Sequence, residues 1–347
     1  MDPNEVTPPR YIVEDQLVFV TCGAVGRSFR FLPTAAVVQL LWFVLAVVVR
    51  RYGIALHEVF WLSNHVHLVL TDVHGNLPDF MRDLNSLVSR GLNALRGSTG
   101  SNVEKGYNIV TPADDEKVID HCVYSLLNAC AAHLVEHVGE WAGVSSFALD
   151  YGKPMIIERP QAGLWKNARA GKRTHAKRGR GSRGRERFRG RTKMPERIEL
   201  ELVRPPISPD LRDDELRALI RERVEAGELV LIGERAEKKK KVLGMKRVLD
   251  QSWSDTPSTS RILFETTPRV SARSKWARIE TLGRRLAFEA QYTAARDKLI
   301  ALLEAAGRAT RSLAARVRDI ADIGDVVFPH GTYLMRRRFA LCCEPAP

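Results

Sequence analysis

The run Phe60-Trp61-Leu62-Ser63-Asn64-His65-Val66-His67-Leu68-Val69-Leu70 limits the fold more than any other stretch of the chain. It is rich in the β-branched and large apolar residues that strands favour, and Ser63-Asn64 interrupts it where a tight turn would close a hairpin. Ile54 to Leu62 and His65 to Thr71 are therefore expected as paired strands. Side chains alternate across a strand, so His65 and His67 share a face while Val66 points into the core. Two imidazoles a few ångströms apart on a rigid sheet make half of a divalent-metal site. A lone His-x-His is short and common, and a strand cap beside a solvated histidine gives the same string.

The neighbouring segments supply partners for this hairpin. Leu17 to Cys22 reads as a first strand, followed by a loop with Arg27 and Arg30. Pro33-Thr34 opens an apolar helix that runs to about Arg51 and stops at Gly53. Ala35 to Val49 is apolar enough to raise the question of a membrane span, but it is short, contains Gln39 and runs into Arg50-Arg51. It reads as a buried helix, and no membrane partner is expected. Leu77 to Leu95 repeats its apolar residues with a helical period, and Gly97 to Ser101 ends it. Tyr107 to Val110 is a short strand, and Asp114 to about His137 a further helix with acids in its first turn. The order β-α-β-β-α-β-α, closing near Ser146, predicts a ferredoxin-like α+β fold: an antiparallel sheet with helices on one face.

Beyond Tyr151 the character changes. From Lys166 to Lys193 thirteen Lys and Arg stand against the single Glu186, a local balance of +12. The net charge of the chain is +13, so everything else carries about +1 and the basic character is a local device. Such a run cannot bury a core and is expected to stay disordered until a polyanion meets it. Ile198 to Leu202 alternates like a strand, Asp213 to Glu225 and Lys275 to Glu304 read as helices, and Arg235 to Lys241 is a second charged patch. A helix over Arg308 to Asp319 and a strand and turn near Val326 to Tyr333 complete the pattern. The 347 residues thus divide into a catalytic-type domain at 1–150, a basic linker at 151–197 and a mainly helical extension at 198–347. Five cysteines without a C-x-x-C pair argue against a disulfide framework and fit a reducing cytoplasm. The first residues, Met1 to Glu5, are acidic and carry no apolar signal core.

The helix from Asp114 carries Tyr124 and, one turn on, Asn128. Residues at i and i+4 stand on one helical face. A phenol is a potential nucleophile, and an amide oxygen is a hard ligand suited to Mg²⁺ or Mn²⁺. The same residues would also suit a core aromatic and a surface amide. His121 lies on the face of Tyr124 and could assist proton transfer, or be simply solvated. His133 and His137 have zinc-like spacing but no further ligands nearby.

Trp61-Leu62-Ser63-Asn64-His65-Val66-His67-Leu68 resembles the His-hydrophobic-His motif of single-tyrosine HUH transposases, the REP-associated tyrosine transposases above all. That family's second signature is Tyr-x-x-x-Asn-Pro, then a small-residue segment, Leu-Val and Trp-x-x-Ser-Ser. Here it reads Tyr124-Ser125-Leu126-Leu127-Asn128-Ala129, then Ala131-Ala132-His133-Leu134-Val135, then Trp141-Ala142-Gly143-Val144-Ser145-Ser146. The resemblance spans roughly Val18 to Phe147. Ala129 stands where the motif has proline, and the segment before Tyr107 lacks the family's Trp-Glu-Gly-Arg-like pattern.

The resemblance implies that His65, His67 and Asn128 hold Mg²⁺ or Mn²⁺ and that Tyr124 forms a 5′-phosphotyrosine on single-stranded, hairpin-bearing DNA. It implies a bacterial cytoplasmic enzyme, associated with the nucleoid, that acts as a monomer or as a homodimer exchanging its tyrosine helix. The alternative is a non-catalytic DNA- or RNA-binding protein that uses the fold and the Arg/Gly run for grip alone.

Overall fold

The computed structural model describes residues 10–161, 194–258, 268–305, 328–330 and 332. The expected elements from Arg308 to Asp319, the basic run within 162–193 and most of the stretch near Val326 to Tyr333 lie outside them. Strand β1 (Gln16–Gly23) leads to helix α1 (Ala35–Tyr52), the hairpin β2 (Ile54–Trp61) and β3 (His65–Asp72), then α2 (Leu77–Arg96), β4 (Asn108–Pro112) and α3 (Asp115–Ala131). The sheet order β2-β3-β1-β4, with every neighbour antiparallel, is that of a ferredoxin-like layer. A two-residue strand, β7 (Val270–Ser271), later joins β4 in parallel and makes the sheet mixed. The α+β architecture is the one the element order predicts.

Alternation in β1 decides which helix covers which face. Cys22 offers its thiol to Asn85 of α2, so Val18, Val20 and Cys22 face the α1/α2 side. Phe19 and Thr21 point the opposite way, towards His67 and His121, so α3 covers the other face. The helices therefore pack around the sheet, two on one side and the third on the other.

Helix α1 is apolar around its circumference in its middle turns because they are enclosed on all sides. Leu40, Leu41 and Phe43 to Val48 are buried. Leu40 packs against Gly91 of α2, where a Cβ would collide with it. A second small sheet, β5 (Met155–Glu158) paired antiparallel with β6 (Arg197–Leu200), lies along α1 as well. The helix is long and apolar enough to cross a membrane by length and composition, yet it is a core element of this fold.

The remaining elements are α4 (Asp213–Glu237), α5 (Met245–Leu249), β7 (Val270–Ser271) and α6 (Lys275–Ala305). Helix α4 packs along α3, with Gly227 seated directly on Leu127. The sequence reading ends this helix near Glu225, two residues before Gly227. The glycine instead permits a close helix crossing, and the helix continues for three more turns.

Candidate active site

The site is built on the odd face of β1 and β3, where the register sets Thr21 opposite His67 and Gly23 opposite His65. The rings of His65 and His67 lie 4.7 Å apart, edge to face. Helix α3 crosses above them and brings Tyr124 and Asn128 to the same point, all within one chain. Asn128 Nδ2 lies 3.0 Å from His67 Nε2, and the Asn128 side chain also bonds His65. The ring of Tyr124 stands edge-on to His67 at 5.5 Å and to Phe19 at 6.1 Å. Tyr124 is 55% exposed, and it lines the cleft.

Hydrogen bonds fix the imidazoles from behind. His65 Nδ1 lies 2.7 Å from Asn64 Oδ1, an acceptor only, so Nδ1 carries the hydrogen and donates it. His67 Nδ1 lies 3.1 Å from Thr21 Oγ1. Because His67 Nε2 accepts from the Asn128 amide, the Nδ1 hydrogen of His67 goes to the threonine hydroxyl. Both histidines thus turn an unprotonated Nε2 towards Asn128. Burial pushes the pKa of His65 down to about 4, against a smaller opposing effect of its bond to Asn128. Burial also holds His67 well below the ordinary range, helped by the neighbouring His65 and His121. Both rings are neutral near pH 7, the form in which imidazole ligates a metal.

This donor set fits a divalent cation. Two oriented imidazole nitrogens and a carboxamide converge, and turning the amide over presents Asn128 Oδ1 where Nδ2 now stands. Among the described residues no cluster of three or more His, Cys, Asp or Glu could serve instead.

Around these residues lies an open cleft of about 840 Å³, with Arg27 and Lys117 among its walls. Phe19 stacks under both His67 (5.3 Å) and His121 (4.4 Å), so one ring spaces the two imidazoles. His121 Nε2 meets Ser271 Oγ of β7 at 2.7 Å, and burial lowers its pKa to about 4, with Lys117 acting in the same direction.

Helix α3 is anchored at both ends. At the start, Asp114 Oδ1 accepts from Lys117 N and Oδ2 accepts from the backbones of Arg273 and Ser274. At the end, the sequence predicts helix to about His137, but the helix stops at Ala131. His133 takes a left-handed conformation (φ 57°), its N–H returns to Cys130 O, and Leu134 N–H returns to Ala129 O. This is a Schellman cap without the customary glycine. His133 and His137 consequently do not share a helical face, and His137 Nδ1 pairs with Glu228 at 2.8 Å instead.

Thr21, Phe19 and Ser271 were not among the residues singled out from sequence. Thr21 and Phe19 were readable in principle, since the pairing of β1 with β3 puts both on the face of His67. Ser271 reaches His121 across 150 residues, and no local pattern announces it.

No family model matches the chain, and no curated protein matches it. Among solved structures the chain is similar to a REP-associated tyrosine transposase bound to a REP hairpin, with 17% identity, a TM-score of 0.37, and coverage of 42% of this chain and 84% of that one. It is also similar to a protein from Deinococcus radiodurans assigned as a transposase, with 18% identity, a TM-score of 0.24, and coverage of 30% and 85%.

Proposed function

We propose that the protein is a transposase-type nuclease and strand transferase that cuts single-stranded, hairpin-bearing DNA through a covalent bond to Tyr124. The observation that carries this reading is the convergence of His65 Nε2, His67 Nε2 and the Asn128 amide beside an exposed phenol, all from one chain. His65, His67 and Asn128 would hold Mg²⁺ or Mn²⁺, which supplies Lewis-acid polarisation of a phosphodiester oxygen.

The protein's own groups account for the rest. The Tyr124 oxygen attacks phosphorus, forming a P–O bond to tyrosine as the bond to the 3′ oxygen breaks. The phenol proton passes to solvent, and the departing 3′ oxygen takes one up as a free hydroxyl. The 5′-phosphotyrosine keeps the energy of the broken ester, so a 3′ hydroxyl attacking in reverse rejoins a strand and frees the tyrosine. Arg27 stands in the cleft wall where a phosphate backbone would run, and Lys117 stands there too, paired with Asp120 at 2.9 Å. His65 and His67 need lose no proton before they ligate. Such a protein would work in the cytoplasm, at the nucleoid, and the proposed site asks for no residue from a partner subunit.

The test is a covalent adduct. Incubated with hairpin-bearing single-stranded DNA and Mn²⁺, the protein should carry labelled DNA through a denaturing gel. Tyr124→Phe removes only the attacking oxygen and should bind the same DNA without forming the adduct. An adduct retained in Tyr124→Phe would move the nucleophile elsewhere. DNA binding with no adduct in the unaltered protein would favour a non-catalytic binding protein.

A further inference from the structure

The sequence from Arg235 to Arg247 holds seven cations, Arg235, Lys238 to Lys241, Lys246 and Arg247, against the single Glu237, a local balance of 7 − 1 = +6. Unlike the run between Lys166 and Lys193, this stretch is folded, and its backbone is fixed on both sides. Helix α4 ends at Glu237, Lys239 takes a left-handed conformation (φ 50°), and the N–H groups of Lys239 and Lys240 return to Ala236 O and Arg235 O. The chain then runs beside the end of α3, with Leu243 N–H donating to His133 O and Gly244 N–H to Leu134 O. Val248 is buried and Leu243 half-buried, so the apolar residues of the segment anchor it while its lysines remain exposed.

Among the described residues only Lys238 has an acidic partner, Glu234 at 3.2 Å. Lys239 to Lys241, Lys246 and Arg247 have none. Inside the knuckle, Arg235 is 4% exposed, one of its Nη atoms bonds Cys130 O, and the other is buried without a partner, as is Nδ1 of His133.

Two helices, α3 and α4, end here, and cations beside helix C-termini offset the negative end of the helix dipole. That effect fades within the last turn and accounts for one or two cations, not for six exposed ones on a pinned turn. Unpaired lysines in succession repel one another, and a polyanion of matching extent relieves that repulsion more fully than screening by salt.

We propose that this lysine knuckle is a second DNA contact, one that grips the phosphate backbone of a duplex stem. Two observations select the duplex. The stretch from Arg235 to Asp250 contains no aromatic residue, and grips on single strands interleave cations with rings on which bases stack. The knuckle also sits at the end of the helix that carries Tyr124. Seven residues separate Tyr124 from Ala131, roughly 10 Å along the helix axis. That is about three phosphates along one strand of a duplex. A stem held at the knuckle would deliver its adjoining single strand to the cleft.

The identification of the polyanion as DNA rests on the proposed function, and the experiment keeps the two apart. Binding of a labelled DNA hairpin with a single-stranded 5′ extension is measured by anisotropy over a range of salt concentrations, for the full chain and for Lys239→Gln/Lys240→Gln/Lys241→Gln. Each duplex phosphate contributes about −0.9 to the slope of log affinity against log salt, so the triple variant should flatten the slope by about 2.7. The matching Lys→Arg triple should keep it. Adduct yield at saturating DNA should be unchanged, because none of the three lysines lies in the cleft. An unchanged slope in the Gln variant overturns the knuckle and leaves the nuclease reading standing. The expected slope change with no adduct in any form sinks the nuclease reading and keeps the knuckle. Equal flattening on an unstructured strand of the same length overturns the assignment to a duplex.

Discussion

Two buried polar clusters flank α3, and they are built on opposite principles. On one side Glu58 of β2 and Arg217 of α4 form an ion pair at 2.6 Å, with both side chains essentially inaccessible. Each hydrogen-bonding arm there is engaged: Arg217 donates to Glu58, to Ser146 O and to Leu149 O at 2.8 Å, while the Ser146 hydroxyl bonds Glu58. Burial acts against the Arg217 charge, but the adjacent carboxylate outweighs it and raises the pKa above the ordinary value. On the other side His65 and His67 are fastened from behind by Asn64 and Thr21 and met in front only by the Asn128 amide, and Tyr124 beside them is exposed to an open cleft. A closed set with every donor and acceptor matched supports the fold and has no capacity left for chemistry. A set fastened from behind and open at the front keeps its ring nitrogens within reach of a ligand, as the proposed function requires.

Removing one member of each cluster should separate these roles most sharply. Arg217→Ala leaves Glu58 buried without a counter-charge, and breaking a buried pair in this way costs about 3–5 kcal/mol. Urea unfolding should show that loss, while the variant that remains folded should still form the DNA adduct. The double change Glu58→Gln/Arg217→Met removes both charges together and should recover most of the stability. If Arg217→Ala left the urea midpoint unchanged, the ion pair would not be what holds α4 to the sheet.

The two clusters also differ in how far the sequence announced them. The hairpin, its histidine parity and the Tyr124/Asn128 spacing are local patterns whose period fixes side-chain direction, so the site could be read from short strings. The Glu58–Arg217 pair joins residues 159 apart, and Arg217 lies in a charged helix that reads as solvent-exposed. Only tertiary packing of α4 along α3 buries it. The end of α3 is hidden in the sequence for a related reason: a left-handed cap formed by His133 carries no glycine to mark it. The side of the sheet that α3 would cover was equally hidden, because element order fixes the strand sequence but does not show where the last helix folds back.

Acid should discriminate between the clusters next. His57 is buried in β2 itself, next in sequence to Glu58, with Nδ1 2.7 Å from Val203 O and Nε2 2.8 Å from Thr71 Oγ1. Burial lowers its pKa from 6.5 to about 4, with the bond to Val203 opposing. Between those values the unfolded chain binds a proton that the folded one refuses. Stability is therefore level above about pH 6.5 and falls as pH drops towards 4. A shift of this size corresponds to about 3 kcal/mol at its limit. His57→Gln abolishes that titration, and its curve of unfolding free energy against pH should be flatter over this window by up to that amount. Parallel curves would mean that the acid sensitivity comes from His65, His67 and His121 in the cleft.

The smallest effect tests whether the open cluster depends on its rear attachment. Thr21 bonds His67 Nδ1 through Oγ1, and it belongs to a strand fully paired with β3. Thr21→Val keeps the β-branched shape and the strand preference but leaves the Nδ1 hydrogen of His67 without an acceptor. Freed of that bond, the ring can adopt the other tautomer, which places the hydrogen on Nε2 and removes the lone pair a cation would need. Losing an outer partner of this kind weakens metal affinity by about 10–100-fold, and the half-exposed Thr21 argues for the lower end because water can replace the hydroxyl. The expected result is a rise of about tenfold in the Mn²⁺ concentration that gives half-maximal adduct. Adduct yield at saturating Mn²⁺ should recover, and the melting temperature should stay within a few degrees. A yield that stayed low at any Mn²⁺ concentration would mean that Thr21 acts on the DNA or on Tyr124 rather than through His67. An unchanged Mn²⁺ requirement would show that Asn128 alone is enough to hold the ring.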